Sequence, residues 1–340
     1  MKKFITNTVL FICVLSFVVI FSAIFGKANT LTGIGTMVGF LVLLRKDLTA
    51  RPGRNFIILL TIYLSLGIFS YLSNLNLIVG FFINFISLSA IGYFLSYDLT
   101  KALIVPIGLL YLFMHFSPVT GKDFALRMAA LAISPCLIML LQLIIHKKES
   151  NMLDDDRSVI KKIDPPVLET KEYHFFGKTY HLNPVRLSYS LRIGLLTAIT
   201  SFFAMFLLNR YNIPEGRWMV YTIFSVTQLY STDCRIRSKQ RFIGTLIGGA
   251  IIFILFLFIQ DTMIRGLLVL LFGYLNTYFT DYRDSIIIIT ISAVGSSSLS
   301  ADTGLMVFYR ILFVGIGILV ALIGDYLLFP QERSAPRQSS

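Results

Sequence analysis

The residues of this 340-residue chain whose types and places carry chemistry are arginines, aspartates and a hydroxyl-bearing stripe set in or beside apolar stretches. Arg310 stands eight positions beyond Asp302 in a run otherwise uncharged as far as Gly324. Eight residues of helix advance about 12 Å, so its guanidinium falls well below a membrane interface. A cation at that depth is costly and needs a partner. Because a planar guanidinium matches a carboxylate with two hydrogen bonds, Arg310 reads as an electrostatic seat for an anion, against a structural ion pair or a snorkelling side chain. Arg127 lies in a similar run, but Asp123 one turn earlier offers it a local partner. Arg192, nine positions into a helix that opens at Asn183, reads as part of an anion path near its cytoplasmic mouth, whereas Arg186 is closer to the interface and reads as an orientation signal. Trp218, Thr222, Ser225 and Gln228 recur at helical spacing along one side, which fits either the lining of an aqueous path or a packing seam with hydroxyls bonded to backbone. Asp98 and Asp281 are candidates for proton coupling; Lys101 and Arg283 beside them fit ordinary places at helix ends.

Other chemistries find no support. The four histidines, His115, His146, His174 and His181, stand in no metal-ligand spacing, and Cys13, Cys136 and Cys234 form neither a CxxC pair nor a disulfide framework. Gly244-Thr245 lacks the lysine of a phosphate-binding loop, and no GxSxG is present, so neither catalytic residues nor a metal or cofactor is expected. Hydrophobic residues make up 56% of the chain and charged ones 14%, against roughly 25% in a soluble domain, so most of the surface must face lipid. The net charge of +12 sits in short loops beside apolar spans, which is an orientation signal rather than a nucleic-acid footprint.

The elements that must position these residues follow from the apolar runs. Lys2-Lys3 followed by uncharged Phe4 to Phe25 reads as a retained first helix, too long for a signal peptide's apolar core. Further spans are predicted at about 29–44, 55–72, 77–97, 100–116 and 123–146, then at 184–209, 216–231, 241–260, 263–280, 284–300 and 303–329. Residues 147–183, rich in charge and proline, form a cytoplasmic connector in which Tyr173 to Tyr180 alternates around Gly177 as a short hairpin would. Asn183-Pro184 supplies an N-cap and a first-turn proline for the seventh helix. The basic loops at Arg45 to Arg54, Lys101 and Arg235 to Arg241 put both termini in the cytoplasm.

An offset of 183 positions maps Asp98 onto Asp281, Gly121 onto Gly304 and Arg127 onto Arg310. The expected architecture is therefore an all-α membrane protein of about 12 transmembrane helices. Two parallel six-helix repeats, 1–146 and 184–330, flank the connector, and a cytoplasmic tail, 331–340, follows. The second and eighth spans occupy corresponding places and offer only 15 to 17 uncharged residues, short of the roughly 20 that cross hydrocarbon. Paired short segments point to a binding site at the interface of the repeats. Gly244, Gly248 and Gly249 form a small-residue face suited to helix packing.

The stretch around Trp218 also carries a family resemblance. Trp218 leads a helix, a basic segment ends in Arg241-x-x-Gly244-Thr245-x-x-Gly248, Leu191-Arg192 enters the preceding span, and Arg310, Gly315, Gly317 and Phe329-Pro330 mark the last. This pattern resembles the fusaric acid resistance (FUSC) or aromatic acid exporter family over about residues 183–330. Leu229 is a departure, standing after Gln228 where many members have proline. The resemblance implies a bacterial plasma (inner) membrane protein that exports small organic anions, aromatic carboxylic acids in particular. A passive anion channel, and a non-transporting membrane protein serving envelope assembly or docking a partner through the 147–183 connector, are the other readings; a homo-oligomer or a separate envelope partner is compatible with each. Charge reversal across Arg235 to Arg241 is expected to disturb insertion; a reporter fused after Ser340 that stays cytoplasmic in that variant rejects the topological role.

Overall fold

The computed structural model describes residues 2–44, 48–49, 51–96, 103–146, 171–175 and 178–328. Asp98, Lys101, most of the connector, the tail and the loop cations Arg45 and Lys46 lie outside them.

Twelve α-helices occur among the described residues: α1 Lys2–Phe25, α2 Thr30–Leu43, α3 Pro52–Leu72, α4 Leu77–Phe94, α5 Ile104–His115, α6 Gly121–His146, α7 Pro184–Tyr211, α8 Arg217–Val226, α9 Ser231–Phe258, α10 Thr262–Leu275, α11 Tyr282–Ser297 and α12 Thr303–Leu328. Seven of them (α1, α3, α4, α6, α7, α9 and α12) are long and apolar enough to cross a membrane. Large apolar side chains such as Phe258, Phe94, Ile78 and Leu327 stand exposed on the helix surfaces. That is the outside of a multi-pass membrane protein, where lipid rather than water is the neighbour. The connector pairs β1 Lys171–Phe175 antiparallel with β2 Lys178–Leu182, with Tyr173 opposite Tyr180.

Helix ends follow local chemistry. Asn76, Asp261 and Asp302 each accept a backbone N–H three residues on, at 2.8 Å, and Asn183 accepts that of Arg186 at 3.0 Å. Two boundaries differ from the sequence expectation. The basic run expected as a loop is helical, because α9 begins at Ser231 rather than 241. Arg, Lys and Gln are good helix formers, no glycine or proline interrupts Ser231 to Ile243, and Asp233 sits favourably in the first turn. Conversely α8 stops at Val226, where Thr227 turns extended, although no proline is present. Gln228 donates to the Ser225 carbonyl at 3.0 Å, satisfying a group that the helix end leaves open.

Packing divides the chain into two compact units, Phe17–Gly194 and Met1–Ser16 with Leu195–Ser340, so the divisions fall inside α1 and α7. In the first unit α2 packs on α5, and α3 on α6, α5 and α4. The opening turns of α7 complete it: Ser190 donates to the Ser89 carbonyl at 2.6 Å, and Arg186 donates to the Tyr93 carbonyl at 2.6 Å while lying over the Tyr93 ring. A buried polar network ties its core. Ser73 donates to the Ser70 carbonyl, so its oxygen is free to accept from His115 Nδ1 at 2.8 Å. The other ring nitrogen then accepts from Asn84, whose oxygen accepts from Tyr111 at 2.6 Å.

In the second unit α9 packs on α11 and α12, α8 on α12, and α10 on α11. The first turns of α1 join it through Asn7, which donates to the Thr277 carbonyl at 3.2 Å, and through a Thr8 to Tyr274 hydrogen bond of 2.9 Å. Gly244 faces Arg283 and Ile286, and Gly248 faces Ile287 and Thr290, so α9 and α11 run in the same direction in close approach. A Cβ at Gly248 would stand 2.6 Å from the Ile287 oxygen and 2.9 Å from Thr290 Cβ. Gly248→Val is therefore expected to cost about 1–3 kcal/mol through overpacking. Gly315→Ala, which meets open space, should cost nothing. Unfolding temperatures of the two variants in detergent check this; equal values would reject the contact.

Candidate functional site

Helix α8 has only 10 residues, about 15 Å of rise, and all but its Arg217, Tyr221 and Ser225 are buried. It runs alongside α12 in the same direction: Trp218 meets Arg310, Thr222 meets Gly317, and Ile223 and Val226 cluster with Ala321. The fit at Thr222 depends on Gly317, since a Cβ there would lie 2.8 Å from the Met219 oxygen. Trp218, Thr222 and Ser225 fall at i, i+4 and i+7, one side of the helix.

Two arginines from other helices are drawn up to that side. The Arg310 guanidinium, on α12, lies over the Trp218 ring at 5.1 Å from its centroid. Arg310 is 3% exposed, and its Nε has no hydrogen-bond partner among the described residues. Arg241, on α9 and 6% exposed, donates through Nε to Thr222 Oγ1 at 3.2 Å and through Nη1 to Ser225 Oγ at 3.1 Å and the Tyr282 hydroxyl at 3.3 Å. The Thr222 hydroxyl donates to the Trp218 carbonyl at 2.8 Å, so both readings of the stripe apply at once: backbone bonding on one side, a lone pair for Arg241 on the other. Tyr282, the first residue of α11, shares a 2.6 Å hydrogen bond with Ser225 and lies beneath the Arg237 guanidinium at 4.5 Å.

Charge is the unusual property of this arrangement. Arg241 is near enough to act on Arg310 as a repelling charge. Arg283 and Asp284 form an ion pair of 2.9 Å on the surface, whereas no carboxylate contact joins Arg241 or Arg310 among the described residues. Desolvating one ion costs on the order of several kcal/mol, and like charges add to it. Hydroxyls and an indole face offset part of this. An anion bound between the two arginines would offset more, with bidentate hydrogen bonds available at Arg310. Further along the buried side of α9 and on α11, Ser238, Thr245 and Thr290 carry hydroxyls without partners among the described residues.

The structure thus brings together Arg310, Trp218, Thr222 and Ser225 from the sequence-derived candidates. Gln228 lies past the end of α8, buried, with its amide on the Ser225 carbonyl. Asp281 is exposed beside Tyr282, on the rim of a cleft of about 460 Å³. Arg192 belongs to the first unit, fully buried near Tyr189. Arg127, also in the first unit, has Asp123 near enough to act on it as an opposite charge, but its hydrogen bonds go elsewhere. It donates to Asn29 Oδ1 at 2.8 Å and to the carbonyls of Ser117, Met114 and Ala28 at 2.8, 3.3 and 3.5 Å, beside a cavity of about 140 Å³. Two site residues were not singled out from sequence. In the sequence Arg241 reads as one of the orientation signals, and the clue to its place is spacing: Cys234, Ser238, Arg241, Thr245, Gly248 and Ile252, all buried, recur every three or four residues. Tyr282 had no such signal.

Comparison with known proteins agrees with the part of the chain that holds this site. Residues 197–324 match the family model described as fusaric acid resistance protein-like, within the stretch whose Trp218, Arg241 and Gly244 pattern carries the resemblance and over less than half of the chain. No match was found among curated proteins or among solved structures.

Because Arg310 caps the chain's sole tryptophan, Arg310→Gln is expected to change the emission maximum by several nanometres. Arg265→Gln, at the other end of α9 where Arg265 holds the Ile259 and Phe256 carbonyls, should leave it in place. Identical spectra for the two variants would reject the Arg310 to Trp218 contact.

Proposed function

We propose that this multi-pass membrane protein exports small organic anions from the bacterial cytoplasm across the plasma membrane, with Arg310 and Arg241 as the anion seat. The observation that carries the reading is two buried guanidinium groups drawn to one side of α8, Arg310 over Trp218 and Arg241 on Thr222 and Ser225, with no carboxylate partner among the described residues. Such a pair is costly empty and favourable when an anion completes it. Trp218 adds an apolar wall beside Arg310, suited to the flat body of an aromatic carboxylate, the substrate class that the fusaric acid resistance protein-like match over residues 197–324 favours.

The broken α8 supports a transport reading. A membrane helix that ends partway and continues as buried irregular backbone at Thr227 and Gln228 is the kind of element that lines a binding site rather than one that faces lipid. The route needs only the unit that holds α8 to α12. Two parallel six-helix repeats, with the connector between them and both termini cytoplasmic, remain the arrangement we favour. In support, α1 and α7, α3 and α9, and α6 and α12 pair as long helices at matching places, while α2 and α8, and α5 and α11, pair as short ones. The offset of 183 positions carries Asn7 onto Ser190, and each of these donates to a backbone carbonyl at the fourth helix of the other half of the sequence, Asn7 to Thr277 just after α10 and Ser190 to Ser89 in α4. Energy would come from an ion gradient, the substrate's own gradient or a separate envelope partner, and Asp281 remains a candidate for proton coupling.

Flux in proteoliposomes tests this. Saturable export of aromatic carboxylates is expected from the unaltered protein, and Arg310→Ala should lower it at least about a hundredfold, the cost of a charge-assisted bidentate contact, with a near-normal unfolding temperature. Undiminished flux through a well-folded Arg310→Ala protein would remove that arginine from the path. Electrogenic conductance without saturation would instead favour an anion channel.

A further inference from the structure

Tyr282, which is hydrogen-bonded to buried Arg241, also lines an open cleft. The cleft, about 460 Å³, is lined by Lys239, Gln240 and Ile243 of α9 and by Asp281, Tyr282 and Arg283 at the start of α11. Its volume falls within the range of small-ligand sites, about 300–1,000 Å³. Lys239 is exposed and has no ion-pair partner among the described residues, whereas Arg283 is tied to Asp284. Tyr282 is the residue common to the cleft and the buried site. It lines the cleft, its hydroxyl is bonded to Ser225 and Arg241, and Arg237 covers its ring.

We infer that this cleft is a vestibule that collects small carboxylate or inorganic anions, and that Tyr282 is the gate between it and the buried Arg241 and Arg310. The inference rests on the anion-seat reading above and adds where the anion comes from and what holds it back. The gate works by exchange of acceptors. In the closed state the Tyr282 oxygen accepts from Arg241 Nη1. An anion oxygen arriving from the cleft can take over that donor as the tyrosine swings away, so Arg241 is never left with a buried N–H unpaired. Ser225 loses its bond to Tyr282 but keeps its contact with Arg241. Lys239, with Arg237 above the ring, raises the local concentration of anions at the gate. Asp281 on the rim opposes this, which limits how long an anion dwells outside.

The sole tryptophan reports arrival, since Trp218 is 4% exposed and stands beneath Arg310. The experiment mixes full-length protein in detergent with iodide, an anionic quencher, in a stopped-flow fluorimeter, and repeats it with acrylamide, a neutral one. Saturable iodide quenching is expected in the unaltered protein and its loss in Arg310→Gln. Tyr282→Phe keeps the ring but not the bond to Arg241, and should speed iodide quenching by about tenfold, the size expected of one hydrogen bond to a charged group. Acrylamide quenching should not change. Lys239→Gln should raise the half-saturating iodide concentration severalfold without altering the limiting rate. An unchanged iodide rate in a stably folded Tyr282→Phe protein overturns the gate and leaves the arginine seat standing. A parallel rise with acrylamide also overturns it, because the change would be loosened packing. No saturable iodide quenching in the unaltered protein overturns the seat itself.

Discussion

Two guanidinium groups held in a low-dielectric interior without a carboxylate set the terms for the rest of the second unit. Their repulsion has to be tolerated by neighbours that are individually weak: an indole face for Arg310, and three oxygens for Arg241. Each of those neighbours is placed by a different backbone feature. Trp218, Thr222 and Ser225 need the short α8 in register with α12, and that register needs Gly317. Tyr282 needs α11 to begin where α9 passes, and Gly244 and Gly248 bring those helices together. Packing in this unit is therefore largely in the service of electrostatics.

Arg127 and Arg310, 183 positions apart, are put to different uses. Arg127 is satisfied by one amide oxygen and three carbonyls, which makes it a fastener between the start of α2, the end of α5 and α6. At the same offset, Arg310 has Asn212 where Arg127 has Asn29, but Asn212 is exposed in a left-handed conformation (φ 53°) and no hydrogen bond joins it to Arg310 among the described residues. Carbonyl oxygens that occupy a guanidinium's donors leave few of them for an anion. Only the arginine denied them keeps a capacity to bind something else.

Much of this was legible in the residues. Depth arithmetic from Asp302 located Arg310 in the interior, and helical spacing put Trp218, Thr222 and Ser225 on one side, because both depend only on helix geometry. Apolar runs and caps placed the helices well except at the end of α8 and the start of α9, and seven of the twelve are long and apolar enough to cross a membrane. Arg241 was not legible as a site residue because a run of cations between apolar segments reads as a loop, while its intrinsic preference is helical. Once helical, the run carries Arg241 about 15 Å along α9 and onto its buried side. Tyr282 comes from 57 positions away from its partner Ser225, and no local pattern encodes so distant a pairing. The truncation of α8 was foreseen only as a short span; its cause, an extended Thr227 with a side-chain amide closing the helix, depends on tertiary context.

The divisions inside α1 and α7 bear on biogenesis. The unit Phe17–Gly194 is complete only when the opening turns of α7 have left the ribosome, so the first five-helix bundle must wait through the whole connector for its last piece. Met1–Ser16 waits longer still, since its partner Thr277 is synthesised some two hundred and seventy residues later. The protein cannot assemble strictly from front to back, and its earliest segment is among the last to find its final neighbours.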